Sequence, residues 1–134
     1  MIKGGEKLEE SPDLGYTHLM LTQAQIQSLV STLQQQYQPE EIVLFGSYAW
    51  GVPQETSDLD FLIVKKTDLP SYKRSAEVAK IISHQRQQDK ILTGVSIDFV
   101  IKTPEEIQQR LALGDPFIED MYLKGKKVYV KAKA

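Results

Sequence analysis

The sequence contains no cysteine, and this absence excludes several classes of protein. A disulfide-stabilised scaffold, a thiolate zinc site and a cysteine nucleophile all require a side chain that the chain does not have. Histidine is nearly as scarce, because the chain has only His18 and His84, which are far apart and lack the spacing of paired metal ligands. Sites that depend on a thiol or on paired histidines are therefore not expected.

Long hydrophobic runs are also missing. The longest apolar runs are short, such as Ile42–Phe45 and Phe61–Val64, whereas a helix needs ~20 apolar residues to cross a bilayer. The first residues, MIKGGEKLEESPD, contain no apolar segment of the kind found in secretory signals. These absences predict a cytoplasmic protein without membrane attachment.

Neither sign of charge dominates the composition. The chain has 16 Lys and Arg residues against 18 Asp and Glu residues, a formal net charge of −2. A dedicated nucleic-acid-binding protein usually carries a strong basic excess, so the balance argues against that class. With 134 residues, of which 41% are hydrophobic and 25% charged, the chain has the size and composition of one soluble globular domain.

The distribution of apolar residues predicts how that domain is organised. Residues 1–16 are polar and contain two adjacent glycines, so we interpret them as a flexible N-terminal arm, with the folded domain over residues 17–134. Helical features alternate with short apolar runs, which predicts an α/β (α+β) fold with a small mixed sheet flanked by helices. The predicted strands cover residues 41–45, 58–64, 95–101 and 128–130.

Capping residues mark where several helices begin. Thr22 precedes apolar residues at helical spacing, and Thr103 followed by Pro104 is a strong helix start. Another helix is predicted to begin near Pro70. The apolar face predicted for this helix consists of Tyr72, Ala76, Val78, Ala79 and Ile82.

Three aspartates lie in segments that are otherwise apolar. Asp58 and Asp60 are at the start of the predicted second strand, and Asp98 is within the third. Aspartate is uncommon in strands, and a buried unpaired charge is costly. Because side chains alternate across a strand, Asp58 and Asp60 share one face. If the second and third strands are neighbours, the three carboxylates converge.

Converging carboxylates are typical of a metal site. Three acids repel one another unless a cation lies between them, and Mg2+ prefers oxygen ligands that are completed by water and phosphate. Carboxylates around two metal ions are common machinery for displacement at phosphorus. A single aspartate could be a solvent-facing residue at a strand end, but three such residues in apolar strands favour a shared site.

A glycine–serine turn follows the predicted first strand. Gly46 would let the backbone approach a phosphate closely, and the Ser47 hydroxyl with the neighbouring amides could bind phosphate oxygens. A tight turn without any ligand is the alternative reading. Ten residues separate Ser47 from Asp58.

These segments together resemble a known family. The sequences FGSYAWG (residues 45–51), SDLDFLIV (57–64) and IDFV (97–100) resemble the minimal nucleotidyltransferases of the DNA polymerase β-like superfamily. That family combines a Gly-Ser turn, an Asp-x-Asp strand and a third Asp on a later strand. The segments TPEE (103–106) and GKKVY (125–129) are similar to it as well, and the resemblance covers about residues 20–131. It implies a polymerase β-like nucleotidyltransferase fold.

The resemblance also implies an activity, which is transfer of AMP from ATP to a hydroxyl group. Gly46 and Ser47 would hold triphosphate oxygens, and Asp58 and Asp60 would coordinate two Mg2+ ions. Asp98 would share a metal and help to deprotonate or orient the attacking hydroxyl. All three aspartates are therefore predicted to be both catalytic and metal-binding.

Two features bear on the acceptor of the nucleotide. The chain shows no second, helical domain of the kind that small-molecule nucleotidyltransferases use, so the acceptor is expected to be met in trans. The chain looks like the antitoxin half of two-component systems, in which the partner is a helical HEPN-domain toxin and AMP is added to a toxin tyrosine.

However, Trp50 stands where the family commonly has Arg. This difference supports an alternative, a module with a weak or inactive site that neutralises its partner by docking only. A nucleotidyltransferase that modifies small molecules is the third hypothesis.

Overall fold

A mixed β-sheet lies at the centre of the fold. The computed structural model describes residues 21–54 and 57–132, so the arm predicted over residues 1–16 lies outside the described residues. Within the described part the strands are β1 (Glu41–Phe45), β2 (Leu59–Val64), β3 (Ile97–Lys102) and β4 (Lys126–Val130). The sheet order is β3-β2-β1-β4, with β2 parallel to β3 and β1 antiparallel to both β2 and β4. This small mixed sheet confirms the predicted fold class.

Helices connect the strands and cover the sheet. They are α1 (Gln23–Tyr37), α2 (Ser47–Trp50), α3 (Ser75–Gln88), α4 (Pro104–Ala112) and α5 (Pro116–Ile118), which continues into a π-helical turn over Glu119–Leu123. Thr22 and Thr103 form the capping boxes of α1 and α4, which confirms both predicted helix starts. Each threonine hydroxyl accepts a hydrogen bond from the backbone three residues later, which satisfies an amide that the helix itself leaves unpaired.

The core has two layers, one on each side of the sheet. Helices α1 and α3 pack on the face that includes Phe61 and Ile63, while α4 and α5 pack on the face that includes Leu62 and Val64. All four of these β2 residues are buried. Strand β2 is therefore apolar on both faces, which explains its continuous hydrophobic run.

Several predicted boundaries were wrong by a few residues. Strand β3 begins at Ile97 rather than at residue 95, β2 at Leu59 rather than at residue 58, and β4 at Lys126 rather than at residue 128. The largest difference concerns α3, because a 3-10 turn occupies Ser71–Lys73 and the helix begins only at Ser75.

The later start of α3 changes which of its faces is buried. Tyr72 lies in the 3-10 turn with 78% of its surface exposed, and Ala76 and Ala79 are also exposed. The buried residues of the helix are instead Val78, Ile81 and Ile82. The predicted apolar face was thus wrong for Tyr72 and for both alanines, and right for Val78 and Ile82.

An ion pair between the buried Arg74 and the half-buried Glu106 joins the start of α3 to α4. The Arg74 guanidinium donates to both carboxylate oxygens of Glu106, at 2.7 and 3.1 Å, and to the carbonyl of Leu69 at 2.9 Å. Arg74 is only 7% exposed, so it needs this counter-charge. The hydrogen bonds from Arg74 hold the pKa of the Glu106 carboxyl at about 2, below its ordinary value of 4.5.

We expect Glu106→Ala to lower the free energy of unfolding by ~2–3 kcal/mol, because it leaves Arg74 buried without its counter-charge and removes half of the α4 capping box. Urea unfolding at pH 7 measures this loss. The folded pKa of Glu106 lies below the unfolded one, so the contribution is complete at neutral pH and is lost as the pH falls from 4.5 towards 2. The variant should therefore lose less stability than the parent over that range. Glu105→Ala, an exposed change in the same helical turn, is the control.

Candidate active site

The three aspartates singled out in the sequence converge in the structure. Asp60 and Asp98 are direct partners in the parallel register of β2 and β3, and Asp58 immediately precedes β2. One carboxylate oxygen from each residue lies within 4.8 Å of the other two. Because β2 and β3 are neighbours, side chains two residues apart and side chains in register meet on one face of the sheet.

The site lies where the helices of that face no longer cover the sheet. Leu62 and Val64 are on the same face of β2 as Asp60 and are buried beneath α4 and α5. Towards the N-terminal end of β2 the side chains are less covered: Asp60 is half-buried, and Asp58, just before the strand, is exposed. The carboxylates therefore sit at the open end of a hydrophobic layer, partly shielded from water and still accessible.

The described residues do not balance the negative charge of the cluster. None of the ion pairs among residues 21–54 and 57–132 includes Asp58, Asp60 or Asp98. Burial raises the pKa of the Asp60 carboxyl, and the charges of Asp98 and Asp58 raise it further. Three uncompensated carboxylates with oxygen atoms this close fit a hard divalent cation such as Mg2+.

Gly46 brings the turn after β1 against the carboxylates. Its φ of 80° lies in the left-handed region, and a Cβ atom at this position would be 2.4 Å from Oδ2 of Asp60. Its carbonyl accepts hydrogen bonds from the amides of Ala49 and Trp50, both at 2.9 Å, which begins α2. The backbone conformation therefore favours glycine, and a larger residue would also displace the Asp60 carboxylate.

We expect Gly46→Ala to destabilise the fold by ~1–2 kcal/mol and to displace the Asp60 carboxylate, because alanine is strained at this φ and its methyl group overlaps Oδ2. Nucleotide binding in the presence of Mg2+ should fall with it. Thermal unfolding and calorimetric titration measure the two effects. Gly51→Ala is the matched control, since its φ is negative and the nearest atom to its Cβ is at 3.7 Å. Equal behaviour of the two variants would contradict the role given to Gly46.

Trp50 fixes the far end of α2. Its indole Nε1 donates to the carbonyl of Lys124 at 2.6 Å, and its ring is tilted against Phe45 with 6.5 Å between centroids. Phe45 is the register partner of Asp60, so this aromatic pair borders the carboxylate site. The side chain remains 51% exposed. Trp50 therefore packs the turn against the end of the π-helical segment and supplies no positive charge.

Comparison with known protein families identifies the domain. The chain matches the family model of the nucleotidyltransferase domain over residues 26–128, which is more than half of its length. The chain belongs to the nucleotidyltransferase domain family. The matched region contains all three aspartates together with Gly46 and Ser47. A search of curated proteins found no significant match.

Membership of the nucleotidyltransferase family assigns a general chemistry. The domain takes a nucleoside triphosphate and transfers a nucleotidyl group, typically with the help of a divalent metal. The predicted family and its fold are thus confirmed, and the aspartate cluster is one that could bind the metal. Among the described helices, none combines the length and hydropathy needed to span a membrane.

Two structural features of the nucleotidyltransferase were not predicted from the sequence. The Arg74–Glu106 pair joins residues 32 positions apart, and although Glu106 belongs to the TPEE segment, nothing in the sequence around Arg74 marks it as the partner. The contact between Trp50 and Lys124 spans 74 positions. The only available signal was Trp50 itself, an aromatic residue at a place where the resemblance leads one to expect arginine.

Proposed function

We propose that this nucleotidyltransferase transfers AMP from ATP to the hydroxyl group of an acceptor and depends on Mg2+. The observation that carries the proposal is the convergence of Asp58, Asp60 and Asp98 beside Gly46, without a balancing positive charge from the described residues. The three carboxylates would hold two Mg2+ ions. Bound Mg2+ would supply charge neutralisation at the phosphates and help to orient them.

Different residues bind the triphosphate and activate the acceptor in this proposal. Backbone groups of Gly46 and the hydroxyl of Ser47 bind the triphosphate and position the α-phosphate near the carboxylates. Asp98 orients the acceptor hydroxyl and takes its proton. The acceptor oxygen then forms a bond to the α-phosphorus while the bond between the α-phosphorus and the bridging oxygen breaks. AMP stays on the acceptor, and pyrophosphate leaves with the electron pair of that bond.

The acceptor in this proposal is a tyrosine of a helical HEPN-domain toxin, which the chain silences as its antitoxin in a cytoplasmic complex. The exposure of Asp58 and Asp98 supports a large acceptor, because a side chain on the surface of a folded protein can reach both carboxylates. The resemblance to minimal nucleotidyltransferases supports the choice of partner.

A second function, neutralisation by docking without catalysis, is favoured by Trp50. The only N–H group of this side chain is already hydrogen-bonded to the Lys124 carbonyl, so it cannot replace the charge of an arginine. A site without that cation would hold triphosphate less tightly. In that case the partner would be bound but left unmodified.

One experiment separates these two functions. The protein is incubated with ATP labelled at the α-phosphate, Mg2+ and the protein encoded by the neighbouring gene. Label on the partner, lost when EDTA is added, is the expected result. Toxin activity is measured in the same samples. Neutralisation without label would contradict AMP transfer and establish the docking function.

Binding of ATP should itself depend on Mg2+, because without a cation the carboxylates repel the triphosphate. Calorimetric titration with and without Mg2+ measures the difference, which we expect to exceed tenfold in affinity. Ca2+ serves as a control for a divalent ion of different size. Equal affinity in the absence of any divalent ion would contradict the proposed metal site.

A further inference from the structure

Strand β3 forms an open edge of the sheet beside the aspartate cluster. It pairs with β2 on one side, and no strand of the described residues pairs with its other side. The amide of Leu59 donates to the carbonyl of Ser96, and the amide of Lys65 donates to the carbonyl of Lys102. Since backbone groups alternate in direction along a strand, those of Ile97 and Phe99 point away from the sheet.

The open stretch of this edge is short and well defined. At Ile101 the outward carbonyl is already an acceptor for the Arg74 guanidinium, at 3.3 Å. Within residues 21–54 and 57–132, no hydrogen bond occupies the outward backbone groups of Ile97 and Phe99, which can therefore pair with an added strand, and Asp98 lies between them. A strand added here would hydrogen-bond on either side of the acidic residue.

A groove runs along the same edge on the opposite face of the sheet, where Ile82, Ile97 and Phe99 give it an apolar part between polar side chains. Two cavities of 220 and 250 Å³ meet at Phe99, between β3 and α3. The larger cavity is lined by Ala79, Ile82, Ser83, Arg86, Ile97 and Phe99. Side chains of an added strand that point away from Asp98 would enter this groove.

The two edges of the sheet differ in how they are protected. Strand β4, at the other edge, carries Lys126 and Lys127, and its pairing with β1 has a register irregularity between Ile42 and Val43. Lysines and bulges are devices that prevent an edge from pairing with another chain. Strand β3 pairs with β2 in regular register and has its only lysine at its last residue. Its edge is therefore the one suited to accept a strand.

The order of the strands also gives the direction from which an acceptor would arrive. Asp60 on β2 lies between the Gly46 turn after β1 and Asp98 on β3. Displacement at phosphorus places the attacking and leaving oxygens roughly in line on opposite sides. If pyrophosphate leaves near Gly46, the acceptor hydroxyl must approach from the side of β3.

We propose that the acceptor is presented by an extended segment of a partner protein, outside the partner's helices, that adds to β3 as an antiparallel fifth strand. A hydroxyl-bearing residue, such as tyrosine, lies opposite Asp98, and the residues before and after it hydrogen-bond with Phe99 and Ile97. Those two flanking residues are apolar, because their side chains enter the groove on the other face. The reaction at Asp98 rests on the proposed function, whereas the docking of the strand does not.

The docking is tested with the synthetic heptapeptide KTIYVTK and two backbone-methylated forms, using 15N-labelled protein without ATP. In antiparallel pairing the flanking isoleucine and valine amides donate to β3, while the tyrosine amide points outward. Methylating both flanking amides should weaken binding by about tenfold or more, and methylating the tyrosine amide should change it less than about twofold. Chemical-shift changes should centre on Ile97 and Phe99. Equal binding of all three peptides, or shifts centred on β4, would overturn the proposal.

A matched pair of variants on α3 tests the groove. Ala79→Arg fills the groove, whereas Ala76→Arg places the same side chain on an exposed position outside its lining. Only Ala79→Arg should weaken peptide binding and raise the KM for AMP transfer to the neighbouring-gene protein. Unchanged binding in Ala79→Arg, or a dimer in sedimentation that this variant dissociates, would overturn the proposal, since the edge would then serve another purpose. Peptide binding without AMP transfer by the parent would instead contradict the proposed function alone.

Discussion

Replacing Asp98 with asparagine should leave Mg-ATP binding nearly unchanged and lower AMP transfer by ~10²–10⁴-fold. Asp98 is the exposed carboxylate at the edge of the sheet, on the side from which the acceptor is proposed to approach. Asparagine keeps the shape of the side chain but accepts no proton from the hydroxyl. An interaction made mainly in the transition state lowers turnover without abolishing ground-state binding.

Two quantities, nucleotide affinity and the rate of AMP transfer, are measured for both Asp98→Asn and the parent. Nucleotide affinity is determined by calorimetry, and labelled AMP transfer to the partner is determined in the same buffer. Asp68→Asn, an exposed aspartate away from the cluster, is the control. Transfer at the parental rate would show that Asp98 does not serve the acceptor. Loss of nucleotide binding equal to the loss of transfer would show that it mainly holds the metal.

The double substitution Asp58→Asn and Asp60→Asn should abolish both Mg-ATP binding and transfer. Both side chains belong to the β2 side of the cluster, and Asp60 lies next to Gly46, where the triphosphate and its metal are proposed to bind. The same variant should be more stable than the parent without metal. Burial and the neighbouring carboxylates already raise the pKa of Asp60, so removing two charges relieves repulsion in the folded state.

Thermal unfolding without divalent ions tests the expected gain in stability, and calorimetry with Mg-ATP tests the expected loss of nucleotide binding. The midpoint of unfolding should rise for the double variant, and the stabilisation that Mg-ATP gives to the parent should disappear. Retained nucleotide affinity would contradict the metal-binding role of Asp58 and Asp60. If the parent silences a toxin without transferring AMP, Trp50→Arg becomes the informative change, because it introduces the cation that the resemblance leads one to expect at this position.

The parts of the site that could be predicted from the sequence depend on residues close together in the chain, and the parts that could not depend on residues far apart in it. The shared face of Asp58 and Asp60 follows from strand alternation, and the Thr103 cap follows from residues within one helical turn. The proximity of Asp60 and Asp98 requires that β2 and β3 be neighbours in the sheet, and no local sequence pattern specifies this pairing. The family resemblance supplied that step, and the register confirms the convergence.

Local patterns were misleading at α3. Pro70 resembles a helix start, but the chain forms a 3-10 turn there, and the helix begins where Arg74 is held by Glu106. That constraint comes from a residue on α4, so periodicity around Tyr72 could not reveal it. At Gly46, likewise, the contact with the Asp60 carboxylate comes from another strand and is not part of the local pattern.

The parallel pairing of β2 with β3 also influences the order in which the site forms during folding. Strands β1 and β2 are joined through residues 46–58 and can pair early, which brings Gly46 and Asp60 together. Strand β3 is joined to β2 through residues 65–96, which include α3, so this pairing closes a longer stretch of chain. Because longer loops close at a greater entropic cost, we expect Asp98 to join the cluster last. A partly folded chain would then hold two of the three carboxylates and would not yet be able to transfer a nucleotide.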